Sequence, residues 1–261
     1  MSEARPLNVE LGILSSVDGS VRLRAGGTVV LASVIGPRPA RNARIEDPTR
    51  AILEVHLSGT SGSGGSSVRD AELVATLRGA LTPLVLLRAA PRSVITVSIL
   101  IEAEDGGAAP NAFNAAVLAL SDAGVPLRGL AAAAAVALRR AGDASASGRG
   151  DSAAENGTAV IDPSAEEMMP GAFHALLWAA FPAAPPSDGM GSADGVEGAG
   201  FEAIALVSTG PTSRADLGAL LIDANAQAQR VVAFMRDVLV KRVMRDAVNC
   251  APEVRSALGV K

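Results

Sequence analysis

Residues 93–116 place a strand pattern, a glycine turn and a helix pattern in direct succession, and this order constrains the fold more than any other stretch. The segment "SVITVSILIEAED", 93–105, alternates and is rich in β-branched residues, which is typical of a half-buried strand. "DGGAAPNAFNAA", 105–116, continues into a helix of small residues. A strand followed at once by such a helix indicates that the two pack together. The sequence therefore predicts a layered α/β (α+β) fold.

The other elements interleave in the same way. We predict further helices over 67–82 and 212–249, the second with an apolar stripe that ends at Val243. "VPLRGLAAAAAVAL", 125–138, is predicted to be a strand in spite of its alanines, and "GPRPAR", 36–41, is expected to break a strand. The remaining predicted strands are 20–25, 28–35, 50–57, the start of "TAVIDPSAEEMM", "FHALLWAAF" and "FEAIALVSTG".

Length and composition limit the class of protein. The 261 residues include one cysteine and carry a net charge of −4, which excludes a disulfide framework and argues against a protein that coats nucleic acid alone. No apolar run reaches about 18 residues, and the N-terminus lacks a signal-peptide core, so we expect no membrane association. We predict one domain over 1–261, with a core at about 15–248 and low-complexity insertions at 139–157 and 182–200.

Five motifs occur in an order that resembles the RNase PH family: "DGSVRLRAGGTVVLASVIGP", "VRDAELVATLRGAL", "PRSVITVSILIEAEDGG", "NAAVLALSDAGVPLRGL" and "VIDPSAEE". The resemblance covers roughly 15–245. It implies an RNase PH-type fold (ribosomal protein S5 domain 2-like), a mixed sheet packed with helices and a long C-terminal helix. Within that family, the pattern is most similar to a core ring subunit of the eukaryotic RNA exosome.

Active members of that family cleave RNA with inorganic phosphate. The resemblance implies that this phosphate is held by a turn of the form "D-x-G-T-R-T-A" before a helix. Residues 105–107 match this turn. Ala108 and Ala109 stand where Thr and Arg are expected, and Pro110 replaces the next Thr and lacks a backbone N–H. Because a helix N-terminus alone offers about half a unit charge, this turn is predicted to be a degenerate phosphate site.

The second site segment carries the acidic loop of Asp162 and Glu166. The resemblance implies a later carboxylate, but no Asp or Glu follows Glu167 until Asp188. A catalytic carboxylate pair or a metal site is one interpretation of Asp162 and Glu166, and the capping of a loop is the other. We expect no catalytic residue in this chain.

Four arginines are candidates for RNA contact. Arg69 matches the RNA-contacting arginine that the resemblance places at the start of a helix, and a solvated surface arginine is the alternative. Arg38, Arg41 and Arg44 form a basic loop suited to phosphates of RNA in a pore, or equally to solvent or a protein contact.

Other site classes have weak support. His56 and His174 are isolated, so we predict no metal site and no cofactor. "GSGGSS", 62–67, lacks the lysine of a nucleotide-binding loop and is interpreted as a linker. The alanine-rich stretches suit a close subunit interface or reflect codon bias.

The resemblance implies a catalytically silent structural subunit of the exosome core ring. Its partners would be other RNase PH-like ring subunits in a hetero-oligomer, an S1/KH-type cap subunit, and single-stranded RNA threaded to a separate hydrolytic 3′–5′ exonuclease. The expected localisation is nucleus, nucleolus and cytoplasm. Two alternatives stay open. One is an active phosphate-dependent 3′ exoribonuclease with an anion site built from Arg69, Arg78 or Arg128, and the other is an unrelated homo-oligomeric scaffold.

Overall fold

The fold is known from a computed structural model, which describes residues 5–40, 46–59, 68–139, 158–165, 173–182, 201–208 and 214–249. Strands and helices interleave along the chain, as the sequence predicts. The elements are β1 (Leu7–Leu11), β2 (Gly19–Ala25), β3 (Thr28–Pro39), β4 (Ile52–Ser58), α1 (Val68–Leu81), β5 (Ser93–Ala103), α2 (Ala108–Asp122), β6 (Ala132–Arg139), β7 (Thr158–Ile161), β8 (Phe173–Pro182), β9 (Phe201–Ser208) and α3 (Arg214–Asn249).

The first sheet has the strand order β1-β2-β3-β5-β4. It is mixed, because β4 runs parallel to β5 while the other neighbours are antiparallel. Burial alternates along β5: Val97 and Ile99 are buried, whereas Ser98 is half-buried and Leu100 is exposed. This alternation confirms a sheet with one face covered by the core.

Helix α2 lies between the two sheets. Every residue from Pro110 to Leu120 is buried, and the helix packs against β2, β3 and β5 on one side and against β6 on the other. A helix that is covered all round must be apolar or small all round, which is what residues 112–120 supply. Its one polar link to β6 is double: the Asn114 amide donates to the Ala133 carbonyl at 3.0 Å and accepts from the Ala133 N–H at 2.7 Å.

The second sheet has the order β7-β6-β8-β9 and is antiparallel. Alanines 132–135 and 137 of β6 are all buried, and α3 packs on β6 and β8. The strand prediction for this alanine run is therefore confirmed. Burial between α2 and α3 decides the conformation, because intrinsic helix propensity is a weak preference that tertiary packing overrides.

Asp122, at the end of α2, connects the two halves of the chain. One carboxylate oxygen accepts a hydrogen bond from the Ser20 N–H of β2 at 3.1 Å, and the other lies 3.6 Å from the Arg242 Nε of α3. The side chain is 8% exposed. A nearly buried carboxylate with these two partners ties the first hairpin to the last helix.

Four details correct the sequence predictions. Strand β1 was not expected. Strand β3 continues through "GPRP" to Pro39. Its pairing with β2 stops at Val34, opposite the first residue of β2, and prolines are tolerated where a strand is paired on one side. Val243 is 59% exposed and does not belong to a buried stripe. Strands β6 and β8 each extend one residue into the expected insertions, whose remaining residues, 140–157 and 183–200, lie outside the described residues.

Within the described ranges, no helix is both long and apolar enough to span a membrane. The assignment of the whole chain to one domain stays a prediction.

Candidate functional site

The turn between β5 and α2 is formed by Asp105, Gly106 and Gly107. Both glycines have positive φ, +78° and +64°, and Gly107 is the N-cap residue of α2. A Cβ at Gly106 would clash with the Pro163 carbonyl oxygen, so the turn can approach the loop after β7 only without a side chain there. The turn and the acidic loop, separate in sequence, are therefore packed directly together.

Thr28 fixes the turn to the first sheet. Its hydroxyl donates to the Gly106 carbonyl at 2.7 Å and accepts from the Asp105 N–H at 3.0 Å. Thr28 is fully buried, so both hydrogen bonds are shielded from water. The backbone of the turn is consequently held in one conformation.

The three degenerate positions form the first turn of α2 rather than a loop before it. Ala108 and Pro110 are buried and Ala109 is half-buried. The first helical hydrogen bond runs from the Asn111 N–H to the Gly107 carbonyl at 3.2 Å. Because Pro110 has no N–H, only Ala108 and Ala109 can offer backbone donors ahead of it. These positions contribute no side-chain charge.

The cation at this turn is Arg5, which precedes β1. Its Nε and Nη2 donate to the two carboxylate oxygens of Asp162 at 2.8 and 2.7 Å. Its Nη1 donates to the Asp105 carbonyl at 2.7 Å and lies 3.5 Å from the Asp105 carboxylate. Its Nη2 lies 3.5 Å from the Gly106 carbonyl. The described acceptors of this guanidinium belong to the turn and to Asp162.

Asp162 is thus fully engaged by a bidentate ion pair. The side chain is 15% exposed and that of Arg5 is 17% exposed, so the pair is largely removed from water. The backbone of Asp162 has a φ of +53°, a conformation that aspartate tolerates better than most residues. Its N–H donates to the Ala135 carbonyl of β6 at 2.9 Å. Of the two interpretations of this residue, the structural one fits these contacts.

Asp105 is the second carboxylate of the site. One oxygen faces Arg5, and the other accepts a long hydrogen bond of 3.4 Å from the Ala165 N–H. Glu166, the other predicted acidic residue, lies outside the described residues. The side chains described at the turn therefore amount to one guanidinium and two carboxylates, a net charge of −1.

Of the four arginines that are candidates for RNA contact, the structure describes the side chain of Arg38. Arg38 is 56% exposed, at the end of β3, and lies 3.5 Å from the Asp18 carboxylate. Arg41 and Arg44 lie outside the described residues. Arg69 is the second residue of α1, but its side chain is not described. RNA contact by these four residues stays a prediction.

The alternative anion site, from Arg69, Arg78 and Arg128, stays a prediction. Arg78 and Arg128 both have exposed side chains. His56 is 64% exposed and lies 3.9 Å from the Glu54 carboxylate. Among the residues that the structure describes, no group of three or more His, Cys, Asp or Glu is placed to hold a metal ion.

Arg5 is the residue of this site that the sequence does not reveal. Its segment, "RPLNVEL", shows an arginine and a proline before a short alternating strand. That pattern indicates a strand, but it does not indicate a partner 157 residues away. Only the packing of β1 beside the turn brings the charges together.

Known proteins resemble this chain in sequence and in fold. Residues 3–126 match the profile of the 3′ exoribonuclease family, domain 1 (RNase PH). A protein named exosome complex component Rrp41 from Thermococcus kodakarensis is 40% identical over 137 residues, which are 50% of this chain and 55% of that protein. The Rrp41 of Archaeoglobus fulgidus is 30% identical over 171 residues, 63% of this chain and 60% of that one. The chain thus spans little more than half the length of these relatives.

A solved structure extends the likeness to nearly the whole chain. The crystal structure of rice (Oryza sativa) Rrp46 superimposes with a TM-score of 0.70 at 25% identity, over 91% of this chain and 96% of that one. The agreement includes the segments outside residues 3–126.

Proposed function

We propose that this chain, whose residues 3–126 match the RNase PH family profile and which has the RNase PH-type fold, is a catalytically silent subunit of an RNA exosome core ring. The resemblance to proteins named Rrp41 and Rrp46 supports a place in such a complex. The chemistry of the turn supports the absence of catalysis.

The observation that carries the proposal is the Arg5–Asp162 ion pair beside a turn without its own cation. Phosphorolysis requires inorganic phosphate and an RNA phosphodiester in one site, so it needs fixed positive charge and donors directed at the phosphate. Here the guanidinium is paired with Asp162 and Asp105, Ala109 supplies no side-chain charge, and Pro110 supplies no backbone N–H.

The remaining electrostatics oppose anion binding. Two unit charges 4 Å apart interact by about 1 kcal/mol in water and by about 4 kcal/mol at an effective dielectric constant of about 20. The described side chains of the turn carry a net charge of −1, which repels each incoming phosphate by an energy of this order. The partial positive charge at the start of α2, about half a unit, does not offset this repulsion for two anions.

In the proposed assembly, this chain joins other RNase PH-like subunits in a hetero-oligomeric ring and contacts an S1/KH-type cap subunit. Single-stranded RNA passes through the ring to a separate hydrolytic 3′–5′ exonuclease, with Arg38, Arg41, Arg44 and Arg69 as candidate phosphate contacts. The proposed localisation is nucleus, nucleolus and cytoplasm.

A second candidate is a phosphate-dependent 3′–5′ exoribonuclease. It is favoured by the retained Asp105-Gly106-Gly107 turn, which keeps its backbone conformation and opens directly onto a helix N-terminus. In this case an arginine from another element has to supply the charge that Ala109 lacks.

One assay distinguishes the two candidates. The purified full-length chain is incubated with 3′-labelled RNA and inorganic phosphate, and release of labelled nucleoside diphosphate is followed. We expect none. Phosphate-dependent release that Asp162→Ala abolishes would reject the silent subunit, whereas release that survives Asp162→Ala identifies a contaminant.

The assembly is tested separately by the mass of the native complex purified through a tag on this chain. Other RNase PH-like chains should co-purify in a ring. A particle that contains this chain alone would support the homo-oligomeric scaffold instead.

A further inference from the structure

A small, partly open cavity of about 20 Å³ lies behind the turn, lined by residues of the N-terminal half of α2, of β6 and of α3, together with Arg5, Leu7 and Asp162. Leu7, Ala134 and Val231 contribute apolar walls. A cavity must offer roughly 10–15 Å³ to hold one water molecule, so this one has room for a single molecule of that size.

Two buried amides that line the cavity each have an atom without a partner. Asn111 on α2 is 5% exposed and Gln227 on α3 is 7% exposed. Neither the Asn111 Nδ2 nor the Gln227 Oε1 has a hydrogen-bond partner among the described residues. A buried amide atom left unpaired costs about 1–3 kcal/mol, so two on one cavity wall call for a ligand that satisfies both.

The other polar side chains of the lining, Asn114, Arg5 and Asp162, have partners. Asn114 uses both its amide oxygen and its amide nitrogen on Ala133. Arg5 and Asp162 are paired with each other. A ligand in this cavity therefore has to accept a hydrogen bond from the Asn111 Nδ2 and donate one to the Gln227 Oε1.

We propose that the cavity is a binding site for one water molecule, which accepts a hydrogen bond from the Asn111 Nδ2 and donates one to the Gln227 Oε1. Water is small enough for the space and is both donor and acceptor. An ammonium ion cannot accept from Asn111, a carboxylate offers Gln227 no proton, and phosphate is larger than the roughly 20 Å³ of space. The bound water joins the first turns of α2 to α3, where no direct hydrogen bond links these two side chains.

This water site has a consequence that does not depend on the proposed function. The first turn of α2 carries the degenerate positions, and the water attaches the next residue, Asn111, to the long helix. The position of α3 relative to α2 is then set by a water-mediated hydrogen bond as well as by apolar packing.

The direct test is a high-resolution crystal structure of the full-length chain. We expect one ordered water within hydrogen-bond distance of both the Asn111 Nδ2 and the Gln227 Oε1. A dry cavity, or density for any larger group, overturns the proposal.

A double-mutant cycle tests the coupling in solution. Asn111→Leu and Gln227→Met should each lower the folding equilibrium constant about tenfold, because each removes one of the two side chains that hold the water, and loss of the water leaves the opposite amide unpaired. The double variant should lose clearly less than the product of the two, since both orphaned groups are then gone. Gln229→Met, at an exposed position of the same helix, controls for the substitution itself. Additive losses, or a rise in stability for Gln227→Met alone, would show that no bridging water exists.

Discussion

Arg5 donates to both carboxylate oxygens of Asp162, a residue 157 positions later in the chain, at 2.8 and 2.7 Å. A planar guanidinium matches a carboxylate in this two-bond arrangement better than an ammonium does. The pair joins the segment before β1 to the loop after β7 and lies against the carbonyls of the turn. The N-terminal segment is thus part of the candidate site.

Removing the guanidinium should destabilise the fold. Arg5→Ala leaves a mostly buried Asp162 and the Asp105 carbonyl without their donor, and we expect a loss of about 2 kcal/mol in the free energy of unfolding, measured with urea. Arg5→Lys should lose less stability than Arg5→Ala, because lysine restores the positive charge but not the two parallel hydrogen bonds of the guanidinium. Arg24→Ala, at an exposed position of β2, is the control. Equal stability of Arg5→Ala and Arg24→Ala would disprove the role of the pair.

Gly106 should tolerate no side chain. Gly106→Ala combines a positive φ with a clash against the Pro163 carbonyl, whereas Gly124→Ala has a similar φ, +70°, with nothing within 4 Å. We expect about 1 kcal/mol of destabilisation for Gly124→Ala from the backbone alone, and at least about 2 kcal/mol for Gly106→Ala. Thermal unfolding of both variants measures the difference. If the two losses are equal, the loop after β7 does not press on the turn.

Phosphate should not stabilise the wild-type chain beyond the effect of matched chloride. Ala109→Arg places a guanidinium in the first turn of α2, beside the N–H groups of the helix terminus, and should create phosphate-dependent stabilisation. At phosphate concentrations ten times the dissociation constant, the gain is about 1.4 kcal/mol, visible as a rise in Tm. Ala109→Gln supplies a neutral control. Specific stabilisation of the wild type by phosphate would contradict the degenerate-site interpretation.

The pKa of Asp47 is expected to depend mainly on Thr49. A hydrogen bond from the Thr49 hydroxyl, followed by the Thr49 N–H and Arg50, lowers the pKa of Asp47 from 3.8 to about 2. Thr49→Ala should raise it towards 3.8, and Arg50→Ala should raise it less, as followed by carboxyl ¹³C NMR. A larger rise for Arg50→Ala would reverse this order of causes.

The sign of the associated pH dependence follows from the lowered pKa. The folded state holds the Asp47 proton less tightly than the unfolded state does, so the contribution to stability is complete above pH 3.8. It is lost as the pH falls towards about 2. Thr49→Ala should reduce this acid sensitivity.

Most elements could be predicted because their patterns are local. The alternating pattern of β5 reflects burial of one face of the strand. The small and apolar residues of α2 reflect burial on all sides of the helix. The failure at Val243 is local. Val243 is 59% exposed, whereas Ala247, one turn later on α3, is 4% exposed, so the helix is still covered beyond this position. Periodicity alone does not show which positions near the end of the helix a neighbouring element covers.

The site was predictable only in part, for a related reason. The missing charge at Ala109 and the missing N–H at Pro110 are visible in a single sequence. The role of Arg5 is not, because an ion pair between distant segments depends on how β1 and the loop after β7 are placed by the sheets. The cavity between Asn111 and Gln227 has the same origin, since each amide alone resembles an ordinary polar residue of a helix.

The contacts of Asp122 show that the first half of the chain does not form a complete hydrophobic core without the second half. Residues 3–126, which match the family profile, include α2, yet β6 and α3 cover one side of that helix and Arg242 approaches its last turn. Produced alone, this portion would expose the side of α2 that β6 covers, and the Asp122 carboxylate would keep the Ser20 N–H but lose Arg242. To fold stably, residues 3–126 would need the part of the chain that contains β6 and α3, which could be supplied as a separate polypeptide.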